Sequence, residues 1–100
     1  MDEVEFTHAS ARHRYEIQLR DEVIGTSYYR AEDGRRVFTH TEVDPDYQGQ
    51  GLATKLIEFA LNDTRAAGLR IVALCPTVAA YVQRHGDFDD LVDTTDVAPS

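Results

Sequence analysis

Lysine is almost missing from this chain: Lys55 stands alone beside nine arginines, against eleven aspartates and seven glutamates. The net charge of −8 argues against nucleic acid as the main partner, because neutralising a phosphate backbone takes clustered cations that this chain lacks. The imbalance fits either a salt-rich cytoplasm, where a dense carboxylate surface keeps a protein hydrated, or an ordinary acidic protein, since net charge speaks to solubility and not to fold. Cysteine is scarce too. Cys75 is the only one, which excludes an intrachain disulfide and fits a reducing compartment. No apolar run approaches the length of a membrane span, and the acidic start Met1-Asp2-Glu3 lacks the basic-then-apolar pattern of a signal peptide. A cytoplasmic protein without membrane contact is expected. Repeats and low-complexity tracts are absent. His8, His13 and His85 show no metal-like spacing with one another or with a cysteine pair, so no metal is expected.

What is present suits one small domain over residues 1–92, with residues 93–100 as a loose acidic tail. Arg14 to Arg20 alternates polar and apolar, which puts Tyr15, Ile17 and Leu19 on one face of a strand. Asp21-Glu22 reads as a turn, Val23 to Tyr29 as a strand, Glu32-Asp33-Gly34 as a second turn and Arg36 to Val43 as the returning strand. A short strand near Val4 to Phe6 precedes them. The period then changes. Leu52, Leu56, Ile57, Ala60, Leu61 and Thr64 share one side of a helix, opposite Lys55, Glu58, Asn62, Asp63 and Arg65, and Gly68 suits its end. Leu69 to Leu74 reads as a short buried strand, parallel to the one before the helix because a helix connects them. Pro76 suits the first turn of a second helix carrying Val78, Ala79, Tyr81 and Val82. The expected class is α/β (α+β): a mixed, mainly antiparallel sheet, hairpin-rich in its first half, followed by helix, strand and helix.

The stretch "DPDYQGQGLATKL", Asp44 to Leu56, joins strand to helix. A glycine loop in that place sets backbone amides at a helix N-terminus, where the dipole favours an anion. Gly49 and Gly51 allow backbone conformations that other residues avoid, and let a phosphate reach the main chain. Two nucleotide motifs fail. Gly51-Leu52-Ala53-Thr54-Lys55 does not supply the Gly-Lys-Ser/Thr of a P-loop, and Thr54 stands where the dinucleotide fingerprint needs a third glycine. A plain turn into a closely packed helix remains the alternative.

Gln48-Gly49-Gln50-Gly51-Leu52-Ala53 resembles the acyl-CoA pyrophosphate loop of the GNAT N-acetyltransferase superfamily, whose signature is Arg or Gln, two residues, Gly, one residue, then Gly or Ala. Gln48, Gly51 and Ala53 match in order. The chain is also similar to the small YjdJ-type branch of that superfamily, through "FTHTEV" before the loop and "CPTVAAYVQRH" after the last strand. The likeness covers roughly residues 16–92. It implies acetyl-CoA as co-substrate, with the pyrophosphate on amides between Gln48 and Thr54, Lys55 near the phosphates, and Val43 and Leu74 flanking the pantetheine arm where two strands splay.

Acetyl transfer to an amine needs a base for the ammonium proton, donors for the oxyanion and a stabiliser for the departing thiolate. The resemblance puts Glu42 at a position where the family carries a glutamate base. His40 lies two residues earlier and on the same face. The plainer alternatives are a solvated strand carboxylate and a hydrogen-bonded structural histidine. Cys75 lies just before a helix N-terminus, which favours thiolate. Its alternatives are a covalent acyl carrier, a stabiliser of the leaving thiolate, or a small buried hydrophobe. Counted back from Gly86, Cys75 falls where many family members have asparagine, and Val82 falls where they have their tyrosine acid. Only eight residues separate Phe6 from Tyr15, too few for the two helices that shape the family's acceptor site. That side is expected to be open, or completed by a second copy or another protein. An N-acetyltransferase acting on an unidentified primary amine is the leading expectation; a non-catalytic acyl-CoA-binding or regulatory module is the alternative.

Overall fold

Two tight turns fold the first half of the chain onto itself. Arg20 and Asp21 take positive φ (52° and 68°), as do Asp33 and Gly34 (48° and 77°), the conformation whose twist matches that of hairpin strands. The first turn sits at Arg20-Asp21, one residue earlier than the sequence suggests, and Glu22 opens the next strand. In the computed structural model, which describes residues 4–93, the strands are β1 (Glu5–Ala9), β2 (Arg14–Leu19), β3 (Glu22–Glu32), β4 (Arg35–Val43) and β5 (Arg70–Ala73). They form one sheet in the order β1-β2-β3-β4-β5. Its first three pairings are antiparallel, and β4 and β5 run parallel. A single short 3-10 turn, Ser10–Arg12, joins β1 to β2, so no α-helix lies between them.

Helix α1 (Leu52–Ala66) buries Leu52, Leu56, Ile57, Ala60, Leu61 and Thr64, the face that its periodicity marks. Helix α2 (Pro76–Arg84) buries Val78, Tyr81 and Val82. Both helices share one core with Tyr15, Ile17, Leu19, Phe38 and Ile71 of the sheet. The protein is therefore two layers, with helices on one sheet face and none of the described helices on the other.

That other face is not merely solvated. Glu16 is only 3% exposed, because Arg14 (2.7 Å), Gln18 (3.1 Å) and Arg12 (3.6 Å) close over its carboxylate. Burial alone would raise its pKa, but those hydrogen bonds and charges hold the carboxyl below the ordinary value. Asp63 also departs from expectation. The helical wheel puts it on the solvent side, yet its Oδ2 accepts from Tyr15 (2.8 Å) and Arg36 (3.1 Å) and lies 3.1 Å from His8 Nδ1.

Two irregularities shape β4. Tyr28 pairs with His40 and Tyr29 with Phe38, so Thr39 is an extra residue, a β-bulge that increases local twist. Pairing with β5 runs only from Arg35↔Arg70 to Phe38↔Ala73. The Leu74 and Cys75 amides both donate to the Phe38 carbonyl (3.0 and 2.9 Å). Beyond that point β4 continues to Val43 while the chain leaves β5 for α2, which opens a wedge between them. At the edge of β5, Ile71 bridges Val92, and Asp93 binds Arg70 at 2.6 Å. The rest of the expected tail, residues 94–100, lies outside the described residues.

Candidate functional site

The loop from Val43 to Leu52 is built by local bonds. Asp44 accepts from the Asp46 amide (2.9 Å), which starts the short turn Pro45–Tyr47. Gln48 Nε2 donates to the Val43 carbonyl (3.0 Å), tying the loop back to the end of β4. Gly49 and Gly51 have φ of 83° and 75°, a region that L side chains avoid. The first intrahelical bond runs from the Lys55 amide to the Gly51 carbonyl (3.1 Å), and no side chain caps the helix. The Leu52, Ala53 and Thr54 amides thus have no intrahelical acceptor and point out of the positive end of the dipole. That donor set suits a pyrophosphate. A cavity of about 110 Å³ lies against it, lined by Val43, Gln48, Gly49, Gly51, Ala53 and Thr54 among others. Leu52 offers only its amide, since its side chain is in the core. Gln50, Thr54 and Lys55 are exposed.

Thr54 also borders a larger cavity of about 390 Å³ between α1 and α2, with Thr77, Tyr81 and Arg84 on its other wall. Val43 and Leu74 lie at the wedge, Val43 buried and Leu74 44% exposed.

At the wedge, Cys75 Sγ lies 3.5 Å from Thr41 Oγ1, which is 2.9 Å from Ser27 Oγ. Ser27 is fully buried and Cys75 2% exposed. Burial would push the Cys75 thiol up. A side-chain hydrogen bond with Thr41 and backbone hydrogen bonds with Val78 and Thr77 outweigh it and hold the pKa below the ordinary thiol value. Neither Thr41 nor Ser27 stands out in a motif search, but Thr41 lies two residues before Val43, so its alternation with a core residue marks it as an inward hydroxyl.

His40 and Glu42 take the opposite side of β4. Their side chains meet at 3.3 Å and are 60% and 63% exposed. His40 also stacks on Tyr28 at 6.4 Å, which Arg14 holds through its hydroxyl (2.9 Å). The structure thus brings His40 and Glu42 together and sets both across the strand from Cys75. Beside Glu42, Thr26 Oγ1 is buried with no partner and borders a cavity of about 260 Å³ that reaches Asp44 and Pro45. Among the described residues, no three His, Cys, Asp or Glu side chains are grouped to hold a metal, and no helix is long and apolar enough to cross a membrane.

The sequence model of the GCN5-related N-acetyltransferase family matches residues 14–91. No curated protein matches the chain significantly. Among solved structures, a GCN5-like protein from Staphylococcus aureus superposes with a TM-score of 0.71 at 20% identity, over 94% of this chain and 92% of that one. A GNAT family acetyltransferase from Brucella melitensis, solved in complex with acetyl-CoA, gives 0.62 at 28% identity over 78% of this chain. The ribosomal-protein-S18-alanine N-acetyltransferase of Escherichia coli gives 0.57 at 15% identity over 71% of this chain. The aligned region spans only 55% and 64% of these last two proteins.

Proposed function

The chain belongs to the GCN5-related N-acetyltransferase family, and from that premise we propose that it transfers the acetyl group of acetyl-CoA to a primary amine. The observation that carries this reading is the uncapped start of α1 on a two-glycine loop, opening onto the wedge between β4 and β5. Amides from Gln48 to Thr54 take the pyrophosphate, with Lys55 beside them. The pantetheine arm runs between Val43 and Leu74. The similar Brucella protein is solved in complex with acetyl-CoA, which supports acetyl-CoA as the co-substrate.

The two sides of β4 then divide the work. On the open face, Glu42 or His40 takes the proton from the ammonium, directly or through water. On the helix face, the Cys75 thiolate attacks the thioester carbonyl, forming an acetyl-Cys75 thioester and releasing CoA thiolate. The neutral amine then attacks that acetyl group, expels the Cys75 thiolate, which Thr41 stabilises by donating to Sγ, and gives up its second proton to the released CoA thiolate. In the simpler variant of the same site, Cys75 carries no acetyl group and only hydrogen-bonds the departing sulfur. The amine enters at the wedge where β4 and β5 part, the one place open to both sides of β4, with a second copy or another protein completing its site. Reducing conditions, as in a cytoplasm, keep Cys75 free.

A non-catalytic acyl-CoA-binding module is the second reading. It is favoured by the exposure of Glu42 and His40 and by a buried Val82 where the family pattern has tyrosine. Titration with CoA and acetyl-CoA is expected to raise the melting temperature, since a ligand of the folded state alone must stabilise it. No rise at millimolar ligand defeats both readings. Release of free thiol with an amine present separates enzyme from binder. Intact mass after acetyl-CoA incubation tests the covalent route: an adduct that survives Cys75→Ala removes Cys75 from it.

A further inference from the structure

In so acidic a chain, a cation left without a carboxylate is unusual. Arg12 and Arg14 hold Glu16, Arg30 holds Glu32, Arg36 holds Asp63 and Arg65 holds Asp90. Arg35 and Arg70 share Asp93, and Arg20 is engaged as well. Only Lys55 and Arg84 have no described acidic partner. Of the two, Arg84 lines the inter-helix groove. Lys55 follows Thr54 at the loop end, and Arg84 lines the facing wall from the last turn of α2.

The neighbours of Arg84 do not explain its position by neutralisation. Glu58 and Asp87 are close enough to Tyr81 for their charges to act on its hydroxyl, yet neither forms an ion pair with Arg84. The groove thus runs from Thr54, at the positive end of the α1 dipole, to the guanidinium of Arg84.

CoA carries two anionic centres of different kinds, a pyrophosphate diester and a phosphate monoester on the ribose 3′-oxygen. The loop amides suit the first. We propose that Arg84 binds the 3′-phosphate monoester and so makes the groove selective for CoA over its 3′-dephospho form. A guanidinium suits a terminal phosphate because its planar fork donates two parallel hydrogen bonds. The cavity of about 390 Å³ falls within the size of small-molecule sites. This assignment rests on the acetyl-CoA reading.

The test compares binding of CoA and 3′-dephospho-CoA by calorimetry, for the unaltered protein, Arg84→Gln and Arg84→Lys. The unaltered protein is expected to prefer CoA by about tenfold, the scale of one charge-assisted contact. Arg84→Gln should weaken CoA to the level of the dephospho form and leave the latter within about twofold, and Arg84→Lys should retain part of the preference. Equal affinity of the unaltered protein for the two ligands overturns the proposal whatever the variants do. So does Arg84→Gln weakening both ligands alike, or neither. If neither ligand binds the unaltered protein, the acetyl-CoA reading itself fails, an outcome distinct from equal binding.

Discussion

Near the start of β4, Arg36 belongs to a polar cluster in which His8, Tyr15, Tyr29, Arg36 and Asp63 bond one another. Past its end, the α1 amides have no intrahelical acceptor, Thr26 Oγ1 is orphaned on the neighbouring strand, and Lys55 and Arg84 have no carboxylate. The first cluster joins β1, β2, β3, β4 and α1. Its groups are used up in holding the fold. The second leaves donors available to an anion, and it is there that we propose the acetyl-CoA site. Substitutions should therefore separate the two: stability changes at one end, ligand binding at the other.

The largest stability effect is expected from Asp63→Ala. It strips an acceptor from Tyr15 and the counter-charge from partly buried Arg36, a loss of about 2 kcal/mol in denaturant unfolding. CoA affinity should stay within about twofold. A large loss of affinity in a still-folded variant would break the division. Next, Gly51→Ala forces a Cβ into a positive φ at the helix start and should cost about 1 kcal/mol. Its distinguishing effect is on the amides it displaces, so CoA binding should weaken by about tenfold or more. Unchanged CoA affinity would remove the loop from the binding site.

The smallest effect is a pH slope at the closed cluster. Burial, then the Arg36 charge, lowers the His8 pKa below 6.5, against the pull of Asp63. The unfolded chain therefore takes up the proton first. Stability is complete above about pH 6.5 and falls as pH drops through that value toward the lower folded one. Denaturant titrations across this window should show the slope, and His8→Gln should flatten it. An identical slope in the variant would assign it to other groups.

Most of the architecture was legible because it depends on near neighbours. The alternation of Tyr15, Ile17 and Leu19, the apolar stripe of α1 and the glycines at turns all answer to local geometry. The loop was legible for the same reason, since its glycines, strand and helix are contiguous. Asp63 was not: its partners Tyr15 and Arg36 lie far away in sequence, and a helical wheel carries no information about them. The Ser27–Thr41–Cys75 line was missed in the same way. Its members come together only through the register of β3 with β4 and the point where β5 ends. The burial of Glu16 was not legible either, because alternation marks which way a side chain points, not what folds over it.

The extra residue at Thr39 determines more than curvature. Counted from Phe38 by plain alternation, His40 and Glu42 would share its side and face the helices, while Thr41 and Val43 would face outward. The bulge reverses that parity halfway along β4. One strand can then begin as core on one side and still deliver its inward hydroxyl to Cys75 and its carboxylate to the open face. A small domain with no spare elements gains two differently equipped surfaces from a single uncounted residue.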